Sequence, residues 1–238
     1  MRKVGMITIG QSPRDDIVSV MRRYLPSDVE VLERGALDGL DAEAVTSMRP
    51  KKGEPTLVTT MRDGTEVTVT HAKVVPLMKR GVEELADKGA GVVVILCTGG
   101  FEELRSDGVT LVDAGSLLQG VIGSLAKGGR LGVVQPSADQ VTEWGAGAKD
   151  RWGALDVVIT SASPYAAPEV RVGEWERAAE ELKESGVDMV FLNCMGMDES
   201  MKQVVRRVTQ KPVVLASSVV ARMVDELMGP EEYACTTC

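Results

Sequence analysis

Apolar residues recur along this chain in two rhythms. Short runs that are apolar on both faces occur at residues 3–9, 29–32, 92–96, 131–134, 157–160, 189–192 and 213–215. Such runs read as strands covered by helices on both sides, the signature of a parallel sheet. Between them lie stretches with a helical period. After the first run, Gly10-Gln11-Ser12-Pro13 supplies a turn, an N-cap serine and a proline for the first helical position. Ile17, Val20, Met21 and Tyr24 then fall at i, i+3, i+4 and i+7, with Asp15 and Asp16 in the first turn, where the helix dipole favours them. Residues 56–70 read as a β-hairpin around Asp63-Gly64, inserted into the first part of the chain.

From Val74 onward, helix and strand are expected to alternate strictly. One helical face carries Val74, Met78, Val82 and Leu85, and the next carries Leu117, Val121, Ile122 and Leu125. Three more are marked by Trp175/Ala178/Ala179/Leu182, Met201/Val204/Val205/Val208 and Val220/Met223/Val224/Leu227.

The chain also repeats itself. Arg130-Leu131-Gly132-Val133-Val134 with Pro136-Ser137 mirrors Lys3-Val4-Gly5-Met6-Ile7 with Ser12-Pro13. In the same register, residues 88–99 mirror residues 184–196, which sets Cys97 and Cys194 at matching places. The expected fold is therefore α/β, with two pseudo-symmetric, flavodoxin-like parallel-sheet halves, 1–128 and 129–238. A crevice separates them, and the hairpin is an insertion in the first.

Composition narrows the function. A chain of 238 residues with 44% apolar content can bury a substantial core. A net charge of -8, with both signs interspersed, argues against nucleic acid and against a membrane surface as partners. No apolar run reaches the roughly 20 residues of a membrane span, and the start of the chain lacks a signal peptide's apolar stretch, so a cytoplasmic protein is expected. Four cysteines are too few for a disulfide-stapled domain, and reduced thiols are expected.

Open parallel sheets bind ligands at the carboxyl ends of their strands, where both cysteines fall. Across a pseudo-two-fold crevice, Cys97 and Cys194 can act as acid and base on opposite faces of one carbon, with no cofactor. Ser12 and Ser137 sit at the equivalent mouths of the first strands. Ser12 at its helix N-terminus and Arg14 through its guanidinium suit a substrate carboxylate. Thr98 and the backbone N–H groups near Gly99 and Gly196 suit a developing enolate, and Asn193 and Ser137 are secondary candidates. His71 reads as an exposed loop histidine with no zinc or other metal site around it, and Cys235-Thr236-Thr237-Cys238 as a frayed tail. Trp144, Trp152 and Trp175 are expected to pack helices. Neither G-x-G-x-x-G nor a Walker A sequence occurs.

Residues 8–16 (Thr-Ile-Gly-Gln-Ser-Pro-Arg-Asp-Asp), Gly35-Ala36-Leu37-Asp38-Gly39, Leu96-Cys97-Thr98-Gly99 and Asn193-Cys194-Met195-Gly196-Met197 resemble the AroM family over essentially the whole chain. More distantly, the sequence resembles the aspartate/glutamate racemase superfamily, whose paired cysteines carry over onto Cys97 and Cys194. That resemblance alone implies a homodimer. Asn193 before Cys194 and Met195-Gly196 after it depart from the Gly-Cys-Thr-His pattern of glutamate racemases, which points away from that substrate. The expected function is a cofactor-independent racemase or isomerase, acting beside the carboxylate of a small acid. The alternatives are a carbon–carbon lyase such as a decarboxylase, which needs one cysteine, and a non-catalytic small-carboxylate binding or sensing protein.

Overall fold

The computed structural model describes residues 2–229; the Cys235/Cys238 pair lies outside them. In chain order the first half contains β1 (Lys3–Thr8), α1 (Asp15–Arg22), β2 (Glu30–Gly35), α2 (Ala42–Ser47), β3 (Thr56–Thr60), β4 (Glu66–Thr70), α3 (His71–Asp87), β5 (Val92–Ile95), β6 (Thr110–Asp113) and α4 (Ala114–Ala126). The second contains β7 (Arg130–Gln135), α5 (Ala138–Gly145), α6 (Ala148–Trp152), β8 (Asp156–Ser161), α7 (Pro168–Glu184), β9 (Met189–Leu192), α8 (Glu199–Thr209), β10 (Val213–Leu215) and α9 (Ala216–Met228). Each half builds a four-stranded parallel sheet, ordered β2-β1-β5-β6 and β8-β7-β9-β10, so the sequence repeat is a repeat of topology. β3 and β4 form the separate antiparallel hairpin, turning through Gly64 at φ 85°.

Strand alternation divides the interior. Val92 and Val94 of β5 join Val4 and Met6 of β1, and Leu131 and Val133 of β7, in one buried cluster between the two sheets. Val93 and Ile95 face α3 in a second cluster, and Val190 and Leu192 face α7 in a third. Cys97 continues the parity of Val93 and Ile95, as Cys194 does that of Val190 and Leu192. The repeated glycines have a packing reason. A Cβ on Gly5 would lie 3.1 Å from Leu85 of α3, and one on Gly132 would lie 3.0 Å from Leu182 of α7, so each helix sits close on its strand.

Four local expectations are corrected. α1 starts at Asp15, not at Pro13. Ser12 therefore caps nothing, and Arg14 holds the N-cap position without a side-chain cap bond. Residues 96–109 connect β5 to β6 as a loop, so the strict alternation fails there. The buried stripe of α4 is Ala114, Leu118, Ile122 and Ala126, and that of α9 includes Ala216, Val220, Ala221 and Val224. These two helices pack together through small residues, which allow close approach and turn Leu125, Met223 and Leu227 outward. Finally, His71 is no loop residue: β4 runs straight into α3, whose first residue it is. No helix of the described residues is long and apolar enough to cross a membrane.

Candidate active site

Cys97 and Cys194 each lie two residues beyond their strand, past Ile95 of β5 and Leu192 of β9. Both are free and buried. They line one small cavity of about 30 Å³ between the halves, with Arg14, Thr98, Gly99, Gly196, Gln140 and Tyr165 in its wall. That volume holds little more than one water molecule. The two thiols have matched backbone partners. Gly99 N–H reaches Cys97 Sγ at 3.4 Å, and Gly196 N–H stands to Cys194 in the same way.

Their remaining neighbours differ. Burial pushes the Cys97 thiol up to about 12, offset only in part by the Gly99 N–H and the Arg14 charge and raised further by the nearby Cys194 and Asp113. Burial also raises Cys194, but the Gly196 N–H, the Tyr165 hydroxyl and the Arg14 charge all oppose it. Burial holds Tyr165 as a neutral phenol, well above the ordinary tyrosine range. Its oxygen accepts from Arg14 Nη2 at 3.1 Å, which leaves its proton free to point at Cys194 Sγ, 3.9 Å away.

Arg14 is 4% exposed and uses every donor of its fork. Nε and Nη2 hold Asp16 at 2.9 and 2.7 Å, Nη1 reaches Thr8 Oγ1 at 3.0 Å and Thr59 Oγ1 at 3.2 Å, and the last Nη2 proton goes to Tyr165. Burial works against its charge, and Asp16 and Tyr165 outweigh burial, so the pKa rises above the ordinary arginine value. The loop carrying Arg14, residues 9–14, is fixed by Asp38. Asp38 accepts from Ser12 N at 2.8 Å, Ser12 Oγ at 2.6 Å and Gly35 N at 2.8 Å. Although burial opposes ionisation, these bonds and Arg34 hold the Asp38 carboxyl below its ordinary range.

Of the sequence-level candidates, the structure brings together Cys97, Cys194, Arg14, Thr98, Gly99 and Gly196. Ser12 is turned onto Asp38 instead. Ser137 stands at the N-cap of α5 without capping it, and its hydroxyl is buried with no partner among the described residues, like Gln135 Nε2 and Gln140 Oε1. Asn193 ties the strand ends together, donating to Gln135 Oε1 at 3.2 Å while its carbonyl accepts from Thr98 Oγ1 at 3.1 Å. Asn193, Thr98 and Gly99 also line an adjoining cavity of about 250 Å³ with His71, Arg151 and Trp144. There the His71 ring stacks on Phe101 with centroids 4.8 Å apart. Trp152 and Trp175 are core residues, whereas Trp144 stacks on Trp152 and also lines both cavities. Sequence reasoning missed Tyr165, Asp38 and Asp16 as site residues. Asp16 and Asp38 had a signal, their places in the residue 8–16 and Gly35–Gly39 motifs, and Tyr165 had none.

The hairpin bridges the halves above this crevice. Gln140 Nε2 donates to Thr56 O at 2.9 Å, Thr56 N to Glu143 Oε2 at 3.1 Å, and Ser163 Oγ to Glu66 Oε2 at 2.8 Å.

Each half thus contributes one parallel sheet and one cysteine to the crevice. Solved enzymes share this two-halved fold. An aspartate racemase of Picrophilus torridus aligns with a TM-score of 0.59 at 15% identity, over 96% of this chain and 95% of that one. A maleate isomerase, Iso, of Pseudomonas putida S16 aligns at 0.58 and 17%, over 95% and 92%. An arylmalonate decarboxylase aligns at 0.56 and 18%, over 97% and 94%. Within that fold, the family profile described as AroM protein matches residues 4–228, and the chain belongs to the AroM family. No curated protein sequence matches it.

Proposed function

We propose that this protein is a cofactor-independent racemase or isomerase acting at the carbon beside the carboxylate of a small acid. The observation that carries this reading is the pair of matched thiols, one from each half, lining a single crevice and each served by the N–H two residues on. Cys194, with the Gly196 N–H and the Arg14 charge at hand, ionises first and removes the proton from carbon. Cys97, held protonated by burial, delivers its proton to the opposite face. The product leaves with the roles exchanged, Cys97 as thiolate and Cys194 as thiol, and the reverse reaction or exchange with water resets them. Arg14 orients the carboxylate, and its charge stabilises the enolate that forms. Gln140, in the crevice wall with an Oε1 that has no partner among the described residues, supplies a further contact.

The same inequality between the thiols favours a second reading, a decarboxylase in which one thiol protonates an enediolate. Proton exchange at carbon separates them. Small chiral acids in D2O are followed by NMR with the wild type, Cys97→Ser and Cys194→Ser. Loss of α-carbon exchange by roughly a hundredfold or more in both variants is expected. Activity that survives one substitution supports the lyase. Absence of exchange across the panel in the wild type, with ligands still bound, supports a binding protein.

A further inference from the structure

The crevice as it stands is too small for its ligand. A cavity of about 30 Å³ takes one water, whereas the smallest chiral acid has a carboxylate and a substituted carbon. The obstruction is specific. A methyl group on Gly196 would lie 2.3 Å from the Tyr165 hydroxyl and 2.7 Å from its ring, so Tyr165 fills the space over the Cys194 turn. Its oxygen lies on Arg14 Nη2 and within reach of Cys194 Sγ, between a charged donor and a thiol. An oxygen of a substrate carboxylate would occupy the same position. Arg14 has no other donor to offer, because Asp16, Thr8 and Thr59 take the remainder. Tyr165 belongs to residues 162–167, the irregular connection between β8 and α7, while both cysteines lie just past the carboxyl ends of the inner strands β5 and β9 and Arg14 is held by Asp16, Thr8 and Thr59.

We infer that the Tyr165 hydroxyl stands in for a substrate carboxylate on Arg14, and that small carboxylate anions bind by displacing it. Tyr165 is thus a specificity-determining residue whose phenol competes with the ligand. The inference rests on the crevice being the substrate site, but not on which thiol reacts.

The test uses the full chain as wild type, Tyr165→Phe and Tyr165→Ala, titrated calorimetrically with propionate, lactate and malonate. The Phe variant keeps the ring and frees one Arg14 donor, so carboxylates should bind about twofold to tenfold tighter, the equivalent of one hydrogen bond. In the Ala variant, iodoacetamide should alkylate Cys194 at least tenfold faster while Cys97 is unaffected, and saturating propionate should slow that reaction. Unchanged or weaker carboxylate binding in Tyr165→Phe, or equal alkylation rates, overturns the inference, as does an absence of binding in all three proteins. Repeating the titration in Cys97→Ser separates it from the reaction. Tighter binding without proton exchange in the wild type sinks the racemase reading alone, whereas exchange without tighter binding sinks this one alone.

Discussion

The two halves share every parallel strand, yet their connections differ in ways that divide the chemistry between them. β1 and β7 superpose in the repeat, but residues 9–14 lead from β1 to α1 whereas only 136–137 lead from β7 to α5. The longer connection brings Arg14. Between β2 and α3 the first half inserts α2 and the hairpin, and at the matching place the second half has only residues 162–167, which bring Tyr165. After the cysteines, the first half uses the loop 96–109 where the second half has α8. Strands and their buried faces conserve the place of each thiol, while insertions decide its neighbours. A repeated fold thus places two like groups, and unlike loops give them unlike neighbours.

The largest effect should come from the arginine that joins the halves. Arg14→Gln leaves the buried oxygens of Thr8 and Thr59 without their donor and frees Tyr165, at a cost of roughly 2–4 kcal/mol. For a chain this long that lowers Tm by about 4–16 °C. The control in the second half is Arg177→Gln. Arg177 pairs with Glu181 at 2.6 Å, but both side chains are about half exposed, so the loss should stay under about 1 kcal/mol. Equal melting shifts in the two variants would show that the Arg14 cluster does not couple the halves.

These asymmetries mark the limit of what the chain itself reveals. Seven of the eight parallel strands, the repeat and the positions of Cys97 and Cys194 were legible because buried parallel strands are apolar on both faces and repeat in register, whereas β6, a four-residue strand at the sheet edge with an exposed Thr110 and a polar Asp113, was not. The Arg14 partners were not, since the Tyr165 contact spans 151 residues and Ser-Ala-Ser-Pro-Tyr has the composition of any turn. Ser12-Pro13 carries the local signature of a helix start, but the distant Asp38 takes the serine's N–H and hydroxyl and delays the helix to Asp15. On α4 and α9, counting bulky residues selects the wrong stripe, because alanines pack closest where two helices meet.

A smaller effect should distinguish the two glycines that face the thiols. A Cβ on Gly99 meets the flexible tip of Leu57 at 2.7 Å, whereas one on Gly196 meets the rigid Tyr165 ring and hydroxyl. Gly99→Ala should therefore cost under about 1 kcal/mol and Gly196→Ala about 1–3. Combining Gly196→Ala with Tyr165→Ala should recover most of that loss, as denaturant midpoints would record. No recovery in the double variant would mean that Tyr165 is not what fills the space.

The smallest effect concerns the thiols themselves and is read at alkaline pH. Cys97 ionises near 12 in the folded chain, against about 9 when exposed, so above pH 9 the unfolded chain releases a proton that the folded one keeps. The stability this group contributes is complete below pH 9 and is lost as pH rises towards 12, by about 1 kcal/mol between pH 9 and 10. Cys194 is shifted the same way, but there the Tyr165 hydroxyl joins a backbone N–H and Arg14, which act on both thiols, in opposing burial. Cys97→Ala should therefore flatten the alkaline fall in urea-unfolding free energy more than Cys194→Ala, whatever each costs at pH 7. If Cys194→Ala flattens it equally, the two thiols are electrostatically equivalent and the assignment of Cys194 as the first base fails.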